Sequence, residues 1–195
     1  IRVMEVLGTL GRTLACGEMD QIEVSHGEII DEKAYFNVIR QKTASLFIAC
    51  MHIGAITSGM SPEQTSAVKG FGERLGLCFQ IKDDIFDYFA AGEIGKPTRS
   101  DLSEGKITLP LIYALTHTEG SRCAEMKSLV AKPELSEDEI SRLVAFAVEN
   151  GGIEYAEKVM EQLRDEARRY LEPFFPSPAA ESLMSVFDYT ISRAK

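Results

Sequence analysis

"LGLCFQIKDDIFDYF", Leu75 to Phe89, decides how this chain is read. Three aspartates, Asp83, Asp84 and Asp87, sit inside a run that is otherwise mostly apolar. Like charges on neighbouring turns of a helix cost roughly 0.2–0.5 kcal/mol per pair. On a helical wheel the three aspartates share a stripe about 100° wide with Gln80 and Glu73. Gly72 and Gly76 fall on or beside that stripe, and Leu75, Leu77, Phe79, Ile81, Ile85, Phe86 and Phe89 fill most of the remaining circle. A surface helix normally has a wide polar face and a narrow apolar one. The inversion predicts a helix central in its domain, with its acidic stripe facing an internal cavity or cleft. Carboxylates in such a place are costly unless paired or bound to metal. Mg2+ resolves the cost, because it takes one or two carboxylates and fills its oxygen shell with substrate phosphates. Asp83, Asp84 and Asp87 are therefore candidate metal ligands. A solvated acidic turn is the plain alternative, and the apolar flanks argue against it.

Helical periodicity dominates outward from this stretch. The spacing predicts a helix over 1–17 and a polar turn through "GEMDQIEVSHGE" (Gly17–Glu28). A long helix follows from near Asp31 to about residue 58, with a break near His52–Gly54. "MSPEQ" (Met60–Gln64) starts the next one: Ser61 is an N-cap, Pro62 fits the first helical position, and Gln64 completes a capping box. This helix runs to about Phe89, and a loop rich in Gly, Lys and Asp spans 90–106. Further helices are expected near 107–117, 122–131, 136–150, 152–172 and 178–193, the 136–150 helix with Ser136 as its N-cap. No strand is predicted, so the fold class is all-α, a single helical domain over 1–195.

"YFNVIRQKTASLFIAC" (Tyr35–Cys50) places Lys42 among Tyr35, Val38, Ile39, Leu46, Ala49 and Ile53 on one face, with Thr43 beside it. A lysine in an apolar stripe calls for an anion, although taken alone it could equally snorkel to solvent. "GEIGKPTRSDLSEGKITLPL" (Gly92–Leu111) adds Lys96 and Lys106, each directly after a glycine, and Arg99. Glycine lets backbone and ammonium approach a phosphate closely. Taken alone, this loop could be an ordinary solvated connection. Carboxylates for a metal and several nearby cations together suggest a diphosphate site.

Composition sets the outer bounds. The 195 residues are 45% hydrophobic and carry a net charge of −9, which describes a globular chain and argues against a nucleic-acid binder. The longest apolar stretch, "LFIACMHIGAITSGM" (Leu46–Met60), is too short to span a bilayer. Cys16, Cys50, Cys78 and Cys123 form no C-x-x-C pair and read as reduced core thiols of a cytoplasmic protein.

"FQIKDDIFDYF", the following "GK" and "SDLSEGKITLPLI" resemble the second aspartate-rich region of the trans-isoprenyl diphosphate synthases, the polyprenyl synthetase family. "GEMDQ" (Gly17–Gln21) resembles the family's G-E-x-x-Q segment, and "KTASLF" (Lys42–Phe47) its K-T motif. "ENGGIEYAEKV" (Glu149–Val159) and "FDYTISR" (Phe187–Arg193) resemble its C-terminal helices. The family's first D-D-x-x-D and paired-arginine motif have no match, and no second D-D pair occurs. The resemblance thus covers the C-terminal half to three-fifths of a synthase, and the start at Ile1 reads as an incomplete chain. A class I terpene cyclase is a poorer match, because its second motif would need a Ser or Thr where Asp87 stands.

The resemblance implies an incomplete antiparallel helical bundle around a central cavity. It implies a Mg2+-dependent, chain-elongating prenyltransferase that joins an allylic diphosphate to isopentenyl diphosphate, with a trans product. The alternative is a noncatalytic regulatory subunit of a heteromeric synthase. By resemblance Asp83, Asp84 and Asp87 hold metal, while Lys42, Lys96, Lys106 and Arg193 bind diphosphate. Lys42, Thr43 and Gln80 serve catalysis, the latter two through oxygen dipoles near the allylic cation. A homodimer without transmembrane segment or nucleic-acid partner is implied, with peripheral membrane contact for product release. Product length is not legible.

Overall fold

A computed structural model describes residues 1–25, 30–89 and 100–193. These residues form helices α1 (Arg2–Val24), α2 (Glu32–Ile39), α3 (Ser45–Ser58), α4 (Pro62–Phe86), α5 (Ser100–Ser103), α6 (Leu109–His117), α7 (Ser121–Val130), α8 (Glu137–Glu149), α9 (Gly152–Leu171) and α10 (Pro178–Ser192). No strand occurs among the described residues, so the chain is all-α. None of their helices is long and apolar enough to cross a membrane.

The residues gather into two compact units. The first comprises Ile1–Glu18, Asn37–Lys82 and Met160–Arg193. Phe71 and Phe187 meet there edge to face at 6.0 Å, both fully buried. Burying each such ring stabilises the fold by roughly 1.5–3 kcal/mol. The second comprises Met19–Phe36 and Asp83–Val159. Its core is built from α6, α7 and α8, with Leu111, Leu115, Leu143 and Phe146 at its centre and Tyr88 and Leu102 packed in.

The predicted caps are present. Ser61 Oγ accepts the N–H of Gln64 at 3.2 Å while Gln64 accepts that of Ser61 at 3.0 Å, with Pro62 opening α4. Ser136 and Glu139 form the same reciprocal pair at the start of α8. Each such box satisfies two backbone N–H groups that a helix start leaves orphaned.

Three boundaries differ from the sequence reading. The predicted polar turn is helical to Val24, because "EMDQIEV" contains no helix breaker and Gly17 is used for packing rather than turning. The break in the second long helix lies at Arg40–Ala44, not at His52–Gly54. There one π-helical turn bonds Ser45 N–H to the carbonyl of Arg40, inserting a residue relative to α-helical register. That insertion invalidates a straight wheel through Lys42. Finally, α4 stops at Phe86, and the N–H groups of Asp87, Tyr88 and Phe89 bond back three residues in a tightened last turn.

Glycines set how closely α4 lies against the π turn and α3. A Cβ on Gly76 would fall 2.5 Å from Ala44 Cα, and one on Gly72 would fall 3.0 Å from the Phe47 carbonyl oxygen. Gly72 and Gly76, read above as part of a cavity-facing stripe, are instead packed against the neighbouring helix. The thiols also divide. Cys78 and Cys123 are buried, whereas Cys16 and Cys50 are exposed and so are not core residues. Burial pushes the Cys78 thiol up to about 12.

Two outcomes follow from this packing. Gly76→Ala gains helix propensity worth about 1 kcal/mol, but its methyl meets backbone, so urea denaturation should show a net loss of about 1–3 kcal/mol. A more stable variant would show the contact to be slack. A thiol reagent should modify Cys16 and Cys50 rapidly in the native protein and all four cysteines only after denaturation. Fast native modification of Cys78 would contradict the burial described.

Candidate functional site

The described candidate residues lie on α4, on the turn that follows it, on the π turn, around α5 and at the end of α10. In the first unit, the π turn brings Thr43 over α4, and Thr43 Oγ1 donates to Gln80 Oε1 at 2.5 Å. The close approach at Gly72 and again at Gly76 permits this, since it lets the two backbones meet one turn before Gln80. Lys42, on the same π turn, bonds Glu18 Oε2 at 3.1 Å, with its side chain 35% exposed. Its charge therefore answers the "GE" of "GEMDQ" on α1. Gly17 makes that approach possible, because a Cβ there would lie 2.9 Å from Lys42 N and from Gln41 Cβ.

Arg193 sits on Phe79. Its guanidinium stands over the ring at 4.3 Å and donates to the Phe79 carbonyl at 3.2 Å. Phe79 in turn packs on Phe47 at 5.5 Å. The C-terminal arginine thus fastens the end of α10 to the residue preceding Gln80.

In the second unit the aspartates are held by separate donors. Asp84 is 4% exposed, and its Oδ2 accepts the hydroxyl of buried Tyr35 at 2.7 Å. Burial and the adjacent Asp84 charge raise the Tyr35 pKa well above its usual value, so the phenol stays a donor. Asp87 is also buried and accepts the N–H of Asp101 at 3.1 Å. Burial and the Asp87 charge raise the Asp101 carboxyl, against the pull of Lys106. Lys106 bonds Glu104 and stands 3.6 Å from Asp101. Burial works to lower the Lys106 pKa, but Glu104 and Asp101 outweigh it and leave the ammonium raised. Behind them Tyr88 and Thr108 share a buried hydrogen bond of 2.9 Å.

The structure therefore pairs Thr43 with Gln80 and links Asp87 to Asp101 and Lys106. Lys42 and Arg193 have their contacts on Glu18 and Phe79. Lys96 and Arg99 lie outside the described residues. Among the described residues, no group of three His, Cys, Asp or Glu side chains could hold a metal ion. Asp83, Asp84 and Asp87 are thus not a preformed triad: Asp84 turns to Tyr35, and the tightened turn carries Asp87 to Asp101. The donor chemistry still fits a hard cation that needs one or two carboxylates and draws its other oxygens from phosphate.

Tyr35 and Glu18 were not singled out by the sequence. Tyr35 looked like one more apolar residue on the Lys42 face, and only its hydroxyl hinted at a buried partner. Glu18 lay in a segment read as a turn.

Comparison with known proteins gives this geometry a setting. The polyprenyl synthetase family profile matches residues 1–147. The chain is 30% identical over 197 residues to the octaprenyl diphosphate synthase of Escherichia coli (strain K12), covering 99% of this chain and 60% of that protein. A polyprenyl synthase from Caulobacter crescentus CB15, crystallised with calcium and isoprenyl diphosphate, superposes with a TM-score of 0.91 at 30% identity, over 100% of this chain and 60% of that one. A geranylgeranyl pyrophosphate synthase from Bacteroides thetaiotaomicron gives 0.88 at 40% identity, over 97% and 63%. The chain spans about three-fifths of the length of the E. coli and C. crescentus relatives. With its aspartate-rich helix, K-T turn and family-wide match, the chain belongs to the polyprenyl synthetase family.

Proposed function

We propose that this chain serves, within a synthase of its relatives' length, to join an allylic diphosphate to isopentenyl diphosphate. The observation that carries the reading is the buried Asp84 carboxylate, hydrogen-bonded to Tyr35 near the end of α4, in a member of this family. The allylic C–O bond breaks and diphosphate departs. The double bond of isopentenyl diphosphate attacks the allylic carbon, and loss of a proton gives a trans product five carbons longer.

Asp83 and Asp84, with Asp87, are the residues that would hold Mg2+. Bound there, Mg2+ supplies charge neutralisation for the departing diphosphate. Tyr35 acts on Asp84 alone, fixing the carboxylate's orientation as outer partners of metal ligands do. Lys42, Lys96 and Lys106 add positive charge for the diphosphate, and Arg193 steadies Phe79. Thr43 and Gln80, already aligned with one another, direct oxygen dipoles toward developing positive charge, where preorganised dipoles cost no reorientation. The assembly is proposed to be a cytoplasmic homodimer, with peripheral membrane contact as the product lengthens.

In this reading the 195-residue chain alone carries one aspartate-rich motif and is inactive. Radiolabelled isopentenyl diphosphate, supplied with allylic primers and Mg2+, should yield no extended product; measurable transfer would refute inactivity. In a synthase of full relative length, Asp83→Ala should lower turnover at least about 100-fold. Near-normal turnover would sink the catalytic role and leave the regulatory-subunit reading. Tyr35→Phe in the same protein should raise the Mg2+ concentration needed for half-maximal rate about 10–100-fold. An unchanged Mg2+ dependence would make Tyr35 a packing residue only.

A further inference from the structure

Two lysines assigned above to diphosphate are each engaged by a nearby glutamate. Lys42 Nζ lies 3.1 Å from Glu18 Oε2, and Lys106 Nζ bonds Glu104. Both contacts are built by backbone geometry rather than by chance reach. Gly17 brings α1 against the π turn, which sets Glu18 beside Lys42. Gly105, at φ 74°, folds "EGK" so that Glu104 and Lys106 lie side by side, with Lys106 N–H bonded to the Asp101 carbonyl at 2.8 Å. A positive φ of this kind is what glycine adopts at little cost.

We infer that Glu18 and Glu104 are displaceable counter-ions: each holds its own lysine, Lys42 or Lys106, in place until phosphate oxygens replace that carboxylate. The inference rests on the diphosphate role proposed above and adds its regulation. Both pairs sit near solvent: the side chains are 35% and 58% exposed for Lys42 and Glu18, and 28% and 58% for Lys106 and Glu104. Exposed pairs of this kind are weak and readily exchanged. A phosphate brings more negative charge and several acceptor oxygens, and its charge-assisted bonds to an ammonium are the stronger kind. A lysine held by a carboxylate is kept in one region of space, so exchange costs less ordering than capture by a loose side chain. The same arrangement disfavours singly charged competitors, which gain little over the carboxylate they must displace.

The test is calorimetric titration of the 195-residue chain with inorganic pyrophosphate, with and without Mg2+. Glu18→Gln and Glu104→Gln should each tighten binding about threefold to tenfold, the scale of one exposed ion pair plus one fewer negative charge. Glu18→Asp keeps the charge but shortens the arm, and should tighten binding about twofold. Glu23→Gln removes a charge elsewhere on α1 and should change binding less than about twofold. Circular dichroism checks that each variant is folded; if Glu18→Gln is not, Glu18→Asp and Glu104→Gln carry the test. Binding equal to or weaker than wild type in the Glu18 and Glu104 variants overturns the inference and makes the glutamates positioning residues. Equal tightening by Glu23→Gln overturns it in favour of net charge. Pyrophosphate binding by no variant removes the lysines' phosphate role as well, whereas the prenyl-transfer assay tests the reaction itself.

Discussion

The contact on which the first unit depends is the glycine seam between α4 and the π turn. Gly72 and Gly76 let α4 approach until a single added methyl would strike backbone. Each glycine within a helix costs about 1 kcal/mol relative to alanine, so the seam persists only because close approach brings larger returns. One return is burial of the surrounding apolar side chains. Another is the Thr43–Gln80 hydrogen bond, which needs α4 and the π turn within a few ångströms of each other. Gly17 repeats the device between α1 and the same turn. The π turn is thus gripped through glycine on two sides, and Lys42 and Thr43 lie within the grip.

The second unit rests on a different constraint, the cost of burying carboxylates. Asp84 and Asp87 are both nearly inaccessible. An isolated carboxylate there would shed its proton only at great cost. The chain answers with separate donors, a phenol for Asp84 and a backbone N–H for Asp87. Each of these donors fixes one carboxylate oxygen in direction. Lys106 reaches the network one step away, at Asp101.

How much of this was legible in the sequence follows from how local each signal is. The capping boxes at Ser61 and Ser136 involve residues within one turn, and both appear where the sequence places them. The long helix Pro62–Phe86 was legible because its periodicity extends over many residues. The π turn was not, because inserting one residue changes the hydrogen-bond pattern without changing composition. That displaced the expected break from His52–Gly54 to Arg40–Ala44 and altered the face on which Lys42 was drawn. Gly17 looks like a turn residue in sequence because its packing partners, Gln41 and Lys42, are remote along the chain. The Asp84 donor was hidden for the same reason, since Tyr35 precedes Asp84 by 49 residues. Residue types carried the chemistry of the site; its partner assignments are tertiary facts.

Arg193 shows why that distinction matters for function. A basic residue near the C-terminus invites a role on substrate, because charge is its most visible property. Its position uses two other properties, planarity and a fixed fork of donors, for it lies over the Phe79 ring and bonds the Phe79 carbonyl at once. Lysine has the charge but neither feature. Phe79 immediately precedes Gln80, so whatever steadies Phe79 also limits the freedom of the Thr43–Gln80 pair. The residue after α10 is therefore tied by packing and by a hydrogen bond to the residue beside Gln80.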